Sequence, residues 1–355
     1  MTGPRPPAVV RRLVGPQARA RRTYLVYRGL GEAIQRVPEP VVDLVAAVVG
    51  EVMARRSAGP KELRVRHLQR VLASSSPVVD PDPDVVRRWA VRSFRAYARY
   101  WVEGARLPGV PVDEVVRRMF VERGYEHLQA GMAAGRGVVM VLPHVGSWEW
   151  GGAFLAAGGY PMTSVAEQIE PPELYDWFVE QRQAMGLTIV PLGQESGGTV
   201  LRTLRQGGLV GLLCDRDIVG NGVEVDFFGE KTTFPAGPAT LALRTGAALV
   251  AAAVYSGPGR SHTGVVSAPF DTGRTGRLRQ DVARITQAIA DGFERLIQRA
   301  PEQWHMYQPN WPSDRPADPT ADAAGLAEAA GPAGRPVSPA DTTAADAAAD
   351  ADGRG

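Results

Sequence analysis

His144 follows an apolar run, Val138-Val139-Met140-Val141-Leu142-Pro143, and Glu149 stands five positions after it. The run reads as a buried strand, and Gly146-Ser147 with Gly151-Gly152 read as a tight corner into a helix. An imidazole at a strand tip with an acid beside it can draw a proton from a hydroxyl as that oxygen attacks, because its ordinary pKa lies near neutrality. The two side chains can meet only if His144 precedes the helix and Glu149 lies in its first turn, since five helical steps would point them apart. The helix dipole also favours an acid there. The spacing alone is weak: with 38 acids in 355 residues and five histidines, about half a match arises by chance. A histidine that merely caps a strand end weighs equally with a catalytic one.

Other candidates gather after later strands. Glu195, in Gly193-Gln194-Glu195-Ser196-Gly197-Gly198, follows a strand over 187–191 and is a second acid for the imidazole. Asp215-Arg216-Asp217 follows an apolar run over 208–214. It reads either as a substrate contact or as an Asp–Arg pair that positions loops. It is also an Asp-x-Asp triplet of the kind that holds a divalent cation and a sugar diphosphate, so a metal-dependent, membrane-associated glycosyltransferase is a rival reading. The central arginine opposes a cation. A non-catalytic lipid-binding protein is a third reading, and it leaves His144 and Glu149 idle. Neither Gly-x-Ser-x-Gly nor Gly-x-Gly-x-x-Gly occurs, which speaks against a serine hydrolase and a dinucleotide enzyme.

Helical periodicity predicts helices over 24–36, 41–56, 61–73 and 84–106. The last carries Trp89, Phe94, Tyr97, Tyr100 and Trp101 as a stripe, which suits a core more readily than a lipid pocket. Shorter helices follow over 113–119 and 124–134. Strands over 137–142, 162–166, 187–191, 208–214 and 247–255 then alternate with helices after Glu149 and over 171–185, 196–206 and 236–245. A turn at Gly220-Asn221-Gly222, strands over 223–227 and 262–268, and a helix over 281–299 complete the pattern. This predicts an α/β single domain: a mostly parallel central sheet flanked by helices, behind an N-terminal helical region. Ligands of such sheets lie beyond the carboxyl ends of the strands, where His144, Glu195 and Asp215 stand.

A chain of 355 residues that is 44% apolar can bury a substantial core. The lone cysteine, Cys214, ends an apolar run and reads as a buried hydrophobe; no disulfide framework is possible. The histidines at 67, 127, 144, 262 and 305 lack paired metal-site spacing, so no metal is expected. The net charge of +2 is uneven, because the stretch from Ser313 holds eight acids against three arginines. Only Lys61 and Lys231 are lysines; guanidinium suits phosphate, though codon composition explains the bias equally well. Residues 1–22 read as a basic flexible arm and 313–355 as a disordered tail too poor in large apolar residues to fold. No stretch suits a secretory signal or a bilayer span; the arm and amphipathic helices fit an anionic membrane surface, or else simply cap the core.

The block from His144 to Gly152 resembles the His-x4-Asp/Glu block of the glycerophospholipid and lipid A late-acyltransferase superfamily. So do Val165-Ala166-Glu167, the helix from Tyr175 to Arg182, Leu213-Cys214-Asp215-Arg216-Asp217 and Val225-Asp226-Phe227-Phe228-Gly229. Phe234-Pro235-Ala236-Gly237-Pro238-Ala239 and Glu302-Gln303-Trp304-His305-Met306 extend the likeness, although the wider superfamily has Phe-Pro-Glu-Gly at the former. Over about residues 20–312 the chain is most similar to actinobacterial phosphatidylinositol mannoside acyltransferases. The resemblance implies a glycerol-3-phosphate-acyltransferase-like domain over 23–312, with a helical cap over 23–134 and an α/β core over 135–312. It implies transfer from a long-chain acyl-CoA, a co-substrate rather than a cofactor, to a hydroxyl of phosphatidylinositol mannoside or a related glycolipid. That reaction would take place at the cytoplasmic face of the membrane, with no nucleic-acid partner. His144 would be the general base and Glu149, or else Glu195, its orienting acid. Glu167, Arg182, Asp215 and Arg216 would contact substrate; Arg182 is otherwise a surface ion pair. Arg216 or backbone N–H groups near 145–147 or 237 would stabilise the oxyanion, and Lys231 or Arg244 could meet the CoA phosphates.

Overall fold

A computed structural model describes residues 16–75, 81–193 and 195–315. Four helices come first: α1 (Pro16–Arg36), α2 (Glu39–Arg56), α3 (Ala58–Ser75) and α4 (Pro83–Arg106). Two of the starts have a clear local cause. Pro38 and the Glu39-Pro40 pair open α2, and Asp82 caps α4 by accepting the Asp84 N–H at 2.7 Å ahead of Pro83. Helix α2 lies directly on α4 because Gly50 is a glycine: a Cβ there would sit 2.6 Å from the Cα of Arg95. The outer face of α2 stays in solvent, with Val41, Leu44, Val45, Val48, Val49 and Val52 exposed.

The core is a seven-stranded sheet in the order β1-β9-β8-β2-β5-β3-β4. Its strands are β1 (Met119–Arg123), β2 (Val138–Leu142), β3 (Met162–Ala166), β4 (Thr188–Pro191), β5 (Leu209–Leu213), β8 (Ala248–Ser256) and β9 (His262–Val266). All neighbours run parallel except β8 and β9. Strands β6 (Val223–Phe227) and β7 (Glu230–Phe234) form a separate antiparallel hairpin. Short helices α5 (Val112–Arg117) and α6 (Tyr125–Ala133) flank β1. Helices α7 (Trp148–Ala157), α8 (Pro172–Ala184), α9 (Ser196–Arg205), α10 (Gly237–Thr245) and α11 (Leu278–Arg299) make the crossovers and the closing layer. Strand β2, buried at every position, is apolar on both faces as a central parallel strand must be. Val139 and Val141 pack in one cluster with Ile285, Ile289 and Phe293 of α11. Val138, Met140 and Leu142 pack in another with Leu128, Leu155 and Leu187.

The α/β class and the helical region thus stand as expected, with four adjustments. Strand β1 begins where the helix over 113–119 was expected to end, and β7 was not anticipated. Helix α1 starts at Pro16, inside the supposed arm; residues 1–15 lie outside the described residues. At the other end the fold runs past 312. Asp314 is buried, and its carboxylate accepts from His67 Nε2 at 2.8 Å, Arg70 Nη1 at 3.1 Å and the N–H groups of Asn310 and Trp311 at 3.1 Å each. The rest of the supposed tail, 316–355, lies outside the described residues.

Candidate active site

The corner after β2 is fixed on three sides. Gly146 has φ +62°, and a Cβ there would come within 2.0 Å of the Val254 carbonyl oxygen, so only glycine lets the chain turn this tightly against β8. The N–H groups of Val145, Gly146 and Ser147 donate to Pro143 O (2.7 Å), Gln303 O (2.9 Å) and Val254 O (2.8 Å). The His305 N–H donates to His144 O at 2.7 Å. The corner is therefore rigid. Its 145–147 amides are already spoken for and are not free to receive an oxyanion, contrary to one sequence-based expectation.

His144 meets a carboxylate, but not the one five positions on. Its Nδ1 lies 2.5 Å from Asp215 Oδ1, and its main-chain N–H donates to Asp215 Oδ2 at 2.9 Å. The indole of Trp304 donates to Asp215 Oδ2 at 2.8 Å. Asp215 and Trp304 are fully buried, whereas the His144 side chain keeps 27% of its surface exposed. Burial alone would raise the Asp215 pKa; the adjacent His144 and the three hydrogen bonds outweigh it and hold the carboxylate below its usual range. An ionised acid on Nδ1 fixes that proton in place and leaves Nε2 as the basic, outward nitrogen. Strands β2 and β5 are parallel neighbours in register at Leu142 and Leu213, so the residues following them emerge side by side at one sheet edge. The sequence offered Asp215 as a substrate contact; with its exposure at 0% it serves the imidazole instead.

Glu149 lies in the first turn of α7 as expected, yet it forms no ion pair with His144. Its Oε1 accepts from Tyr100 OH of α4 at 2.9 Å and from Arg182 Nη2 of α8 at 3.0 Å. The Arg182 side chain is 26% exposed and that of Glu149 is 8% exposed, so the surface-pair reading of Arg182 is replaced by a largely buried pair. Burial would lower the Arg182 pKa, but the charge of Glu149 raises it overall. Both line an apolar cavity of about 180 Å³ walled by Tyr27, Ile34, Trp101 and Trp177. The aromatic stripe of α4 is thus divided: Phe94 packs into the interior on Tyr307, while Tyr100 and Trp101 face this cavity.

Residues 15–313 match the family described as bacterial lipid A biosynthesis acyltransferase. The chain belongs to that family. It is 38% identical over 296 residues to a phosphatidylinositol mannoside acyltransferase of Mycolicibacterium smegmatis, covering 82% of this chain and 92% of that protein. It is also 38% identical over 286 residues to the protein of that name from Mycobacterium tuberculosis H37Rv, covering 79% and 86%. The chain is an enzyme of the acyltransferase class, which removes the ground for the glycosyltransferase and non-catalytic lipid-binding alternatives.

In this acyltransferase the Asp-x-Asp triplet is split by its own hydrogen bonds. Asp215 serves His144, while Asp217 accepts from the N–H groups of Gly220 (2.9 Å) and Gly222 (2.7 Å) and shapes the loop. Arg216 between them donates to Glu167 at 2.7 Å. Both line a cavity of about 550 Å³ that flanks Asp215, with Leu213, Cys214, Gly237 and Arg244. Arg216, the start of α10 at Gly237 and Arg244 thus lie together at this cavity. Lys231 is paired with Glu224 out on the hairpin. Cys214 is buried with its thiol pKa pushed well up, as an inert hydrophobe should be. Glu195 is exposed at the start of α9 and makes no ion pair or side-chain hydrogen bond with a described residue, so the structure does not bring it to His144. Sequence reasoning missed Glu103 of α4, which accepts from Ser147 Oγ (2.8 Å) and Arg99 Nε (2.6 Å) and meets His262 Nε2 at 3.3 Å behind the corner. Burial would raise its pKa; His262 and Arg99 bring it down to about 2. A glutamate late in a long amphipathic helix carried no signal of that role. Trp304 could be seen only as part of a resembling segment.

Proposed function

We propose that this acyltransferase moves a fatty acyl chain from a long-chain acyl-CoA to a hydroxyl, a mannose hydroxyl, of phosphatidylinositol mannoside at the cytoplasmic face of the membrane. The observation that carries the chemistry is the His144–Asp215–Trp304 chain at the carboxyl edge of β2 and β5. His144 Nε2 takes the hydroxyl proton as the oxygen attacks the thioester carbonyl carbon. Asp215 balances the imidazolium that forms, the part an acid plays in hydrolase triads. Collapse of the tetrahedral intermediate breaks the C–S bond. The leaving thiolate takes the proton from His144, giving ester and free CoA. The 550 Å³ cavity, apolar along Leu213 and Cys214 and cationic at Arg216 and Arg244, suits the thioester donor. The mannoside acceptor is supported by the two mycobacterial relatives.

Docking on lipid is supported by the outer faces of α1 and α2. Leu25, Val26 and Leu30 on α1 and six residues of α2 from Val41 to Val52 are exposed, beside exposed Arg21, Arg22 and Arg36. Such a surface inserts apolar side chains while cations meet anionic headgroups. No helix among the described residues is long and apolar enough to cross a membrane. The test is to mix the full chain with acyl-CoA and vesicles containing phosphatidylinositol mannoside, follow free CoA, and weigh the lipid product. His144→Ala should lose about 10²–10⁴-fold in turnover at unchanged melting temperature. Full turnover by that variant, or a wild-type product without an added acyl group, would overturn the proposal.

A further inference from the structure

The buried face of α3 is Leu63, Arg64, His67, Leu68 and Val71, a stripe at helical spacing with an arginine set into it. Arg66 and Arg70 of the same helix reach acids, both at Asp314 and the second also at Glu230. Arg64 reaches none. It is fully buried and forms no ion pair among the described residues. Its Nη2 donates to Pro301 O, while Nε and Nη1 have no hydrogen-bond partner among the described residues. Burial brings its pKa down to about 10, against the pull of Tyr307 and Glu302, so the group is a cation at pH 7. A buried charge that contacts no counter-ion costs stability, and a leucine or methionine would fill the stripe without that cost. Packing alone therefore does not account for an arginine at this position.

What the guanidinium meets instead is aromatic. Its Cζ lies 5.5 Å from the centroid of the Trp304 ring and 5.8 Å from that of Tyr307. No other guanidinium or ammonium among the described residues stands over Trp304; its remaining ring neighbours are His67, Phe227, Phe228 and Trp311. Burial lowers the pKa of His67, so that neighbour is neutral at pH 7. A cation on the face of an indole draws electron density out of the ring, and a dry interior leaves the attraction unscreened. The ring N–H becomes a stronger donor for it, and this N–H is the one that meets Asp215 Oδ2 at 2.8 Å. Each polar contact in such a chain strengthens the next. We propose that Arg64 is a positioning residue of the acyl transfer: it holds Trp304 against Asp215 and strengthens the indole hydrogen bond that keeps this carboxylate ionised under His144. Through Pro301 O it also ties the backbone just ahead of Trp304 to α3. Arg64 makes no hydrogen bond to His144 or Asp215 and acts only through the indole. The inference rests on the reading of His144 as the base.

A double-mutant cycle tests it. Arg64→Met and Arg64→Gln remove the charge, the second keeping a donor for Pro301 O; Arg64→Lys keeps the charge. Each is made in the wild type and in Trp304→Phe, where a ring remains beside the guanidinium but the N–H is gone. In the full chain with acyl-CoA and acceptor vesicles, each neutral variant should lower kcat about 5-fold, less than the roughly 10-fold of losing the indole bond outright. KM for either substrate should stay within about 2-fold, and Arg64→Lys should hold kcat within about 2-fold of wild type. In Trp304→Phe the same neutral substitutions should change kcat by less than about 2-fold, because the bond they act through is absent. An equal loss in both backgrounds, no loss in the wild type, or an Arg64→Lys as slow as Arg64→Met overturns the role. Failure of both neutral variants to fold would make Arg64 a stability residue and overturn it too. His144→Ala in the same series separates the two readings. Full turnover there sinks the base itself, whereas turnover lost there with equal Arg64 losses in both backgrounds sinks the Arg64 role alone.

Discussion

Asp215→Asn, set against Glu149→Gln, decides which carboxylate serves the imidazole. Asparagine keeps the volume but replaces one acceptor oxygen with a donor. The native carboxylate accepts Nδ1–H of His144 on Oδ1, and on Oδ2 the His144 main-chain N–H and the Trp304 indole. If the amide oxygen stays on the Nδ1 side, its NH₂ faces two buried donors, and each left unpaired costs about 1–3 kcal/mol. If the oxygen takes the other side, those donors remain satisfied and the NH₂ meets Nδ1. The imidazole must then carry its proton on Nε2, the nitrogen that has to accept. The second arrangement is the cheaper to fold, so the variant should remain folded with its base disabled, a loss of about 10⁴-fold by analogy with hydrolase triads. Glu149→Gln does the opposite. It leaves the charge of Arg182 facing a neutral amide at an apolar cavity, and breaking a buried pair costs up to about 3–5 kcal/mol, less here because Arg182 keeps 26% of its side chain exposed. Turnover at saturating substrates and pH 7, with thermal melting on the same samples, separates the two. The expected result is a near-normal melting temperature and collapsed turnover for Asp215→Asn, and a lowered melting temperature with turnover within roughly 10-fold for Glu149→Gln. Asp215→Asn retaining more than about a tenth of turnover, or Glu149→Gln losing about 10³-fold at unchanged melting temperature, would refute the reasoning.

Trp304→Phe should lower kcat about 10-fold, the weight of one hydrogen bond to a charged group. It should also move the acid limb of the kcat/KM–pH profile upward, because a less stabilised Asp215 pulls harder on the imidazolium; a limb that stays put with a lower melting temperature would mean a structural role only. Stability should fall with pH below about 6.5, because burial lowers the pKa of His67 and takes His305 to about 3. The unfolded chain then binds protons on both imidazoles that the folded chain refuses, at up to about 1.4 kcal/mol per pH unit for each. Denaturant midpoints at pH 7, 6 and 5 read this, and His305→Phe should shrink the slope; an identical slope would remove His305 from the account. Val45→Asp with Val48→Asp, both on the exposed face of α2, should weaken sedimentation with anionic vesicles about 10-fold or more without changing the melting temperature, and unchanged sedimentation would move the membrane face elsewhere.

The order of elements was readable because central parallel strands are short apolar runs between helical periodicities. β2, β5 and β8 bury nearly every side chain, and turn residues separate them cleanly from α9, α10 and α11. The strands that escaped are those whose environment is not central. β1 is an edge strand only partly covered on one face, and Val112 to Met119 ahead of it reads as unbroken helix. β7 is polar on one face, and its partner is joined by the two-residue turn Phe228-Gly229, both at positive φ; phenylalanine gives no turn signal there.

The site divides along the same line. Placing His144 at a strand tip required only the pattern of its own segment, and that pattern was local. Choosing its acid required knowing that β5, 71 residues away, lies beside β2 in parallel register, so that Asp215 leaves the sheet where His144 does. Sequence spacing reports positions on one element; a carboxylate partner is settled by neighbours across elements. Glu149 satisfied every local condition, first turn, dipole and distance along the chain, and still faces Arg182, because the helix turns its second residue away from the strand tip and toward α8. The two acids therefore divide the work by what surrounds them. Asp215 is sealed under Trp304 and can only serve the ring above it. Glu149 holds α4, α7 and α8 together on the wall of an apolar cavity. Substitutions at Glu149 should accordingly be read through stability first and through chemistry only in what remains.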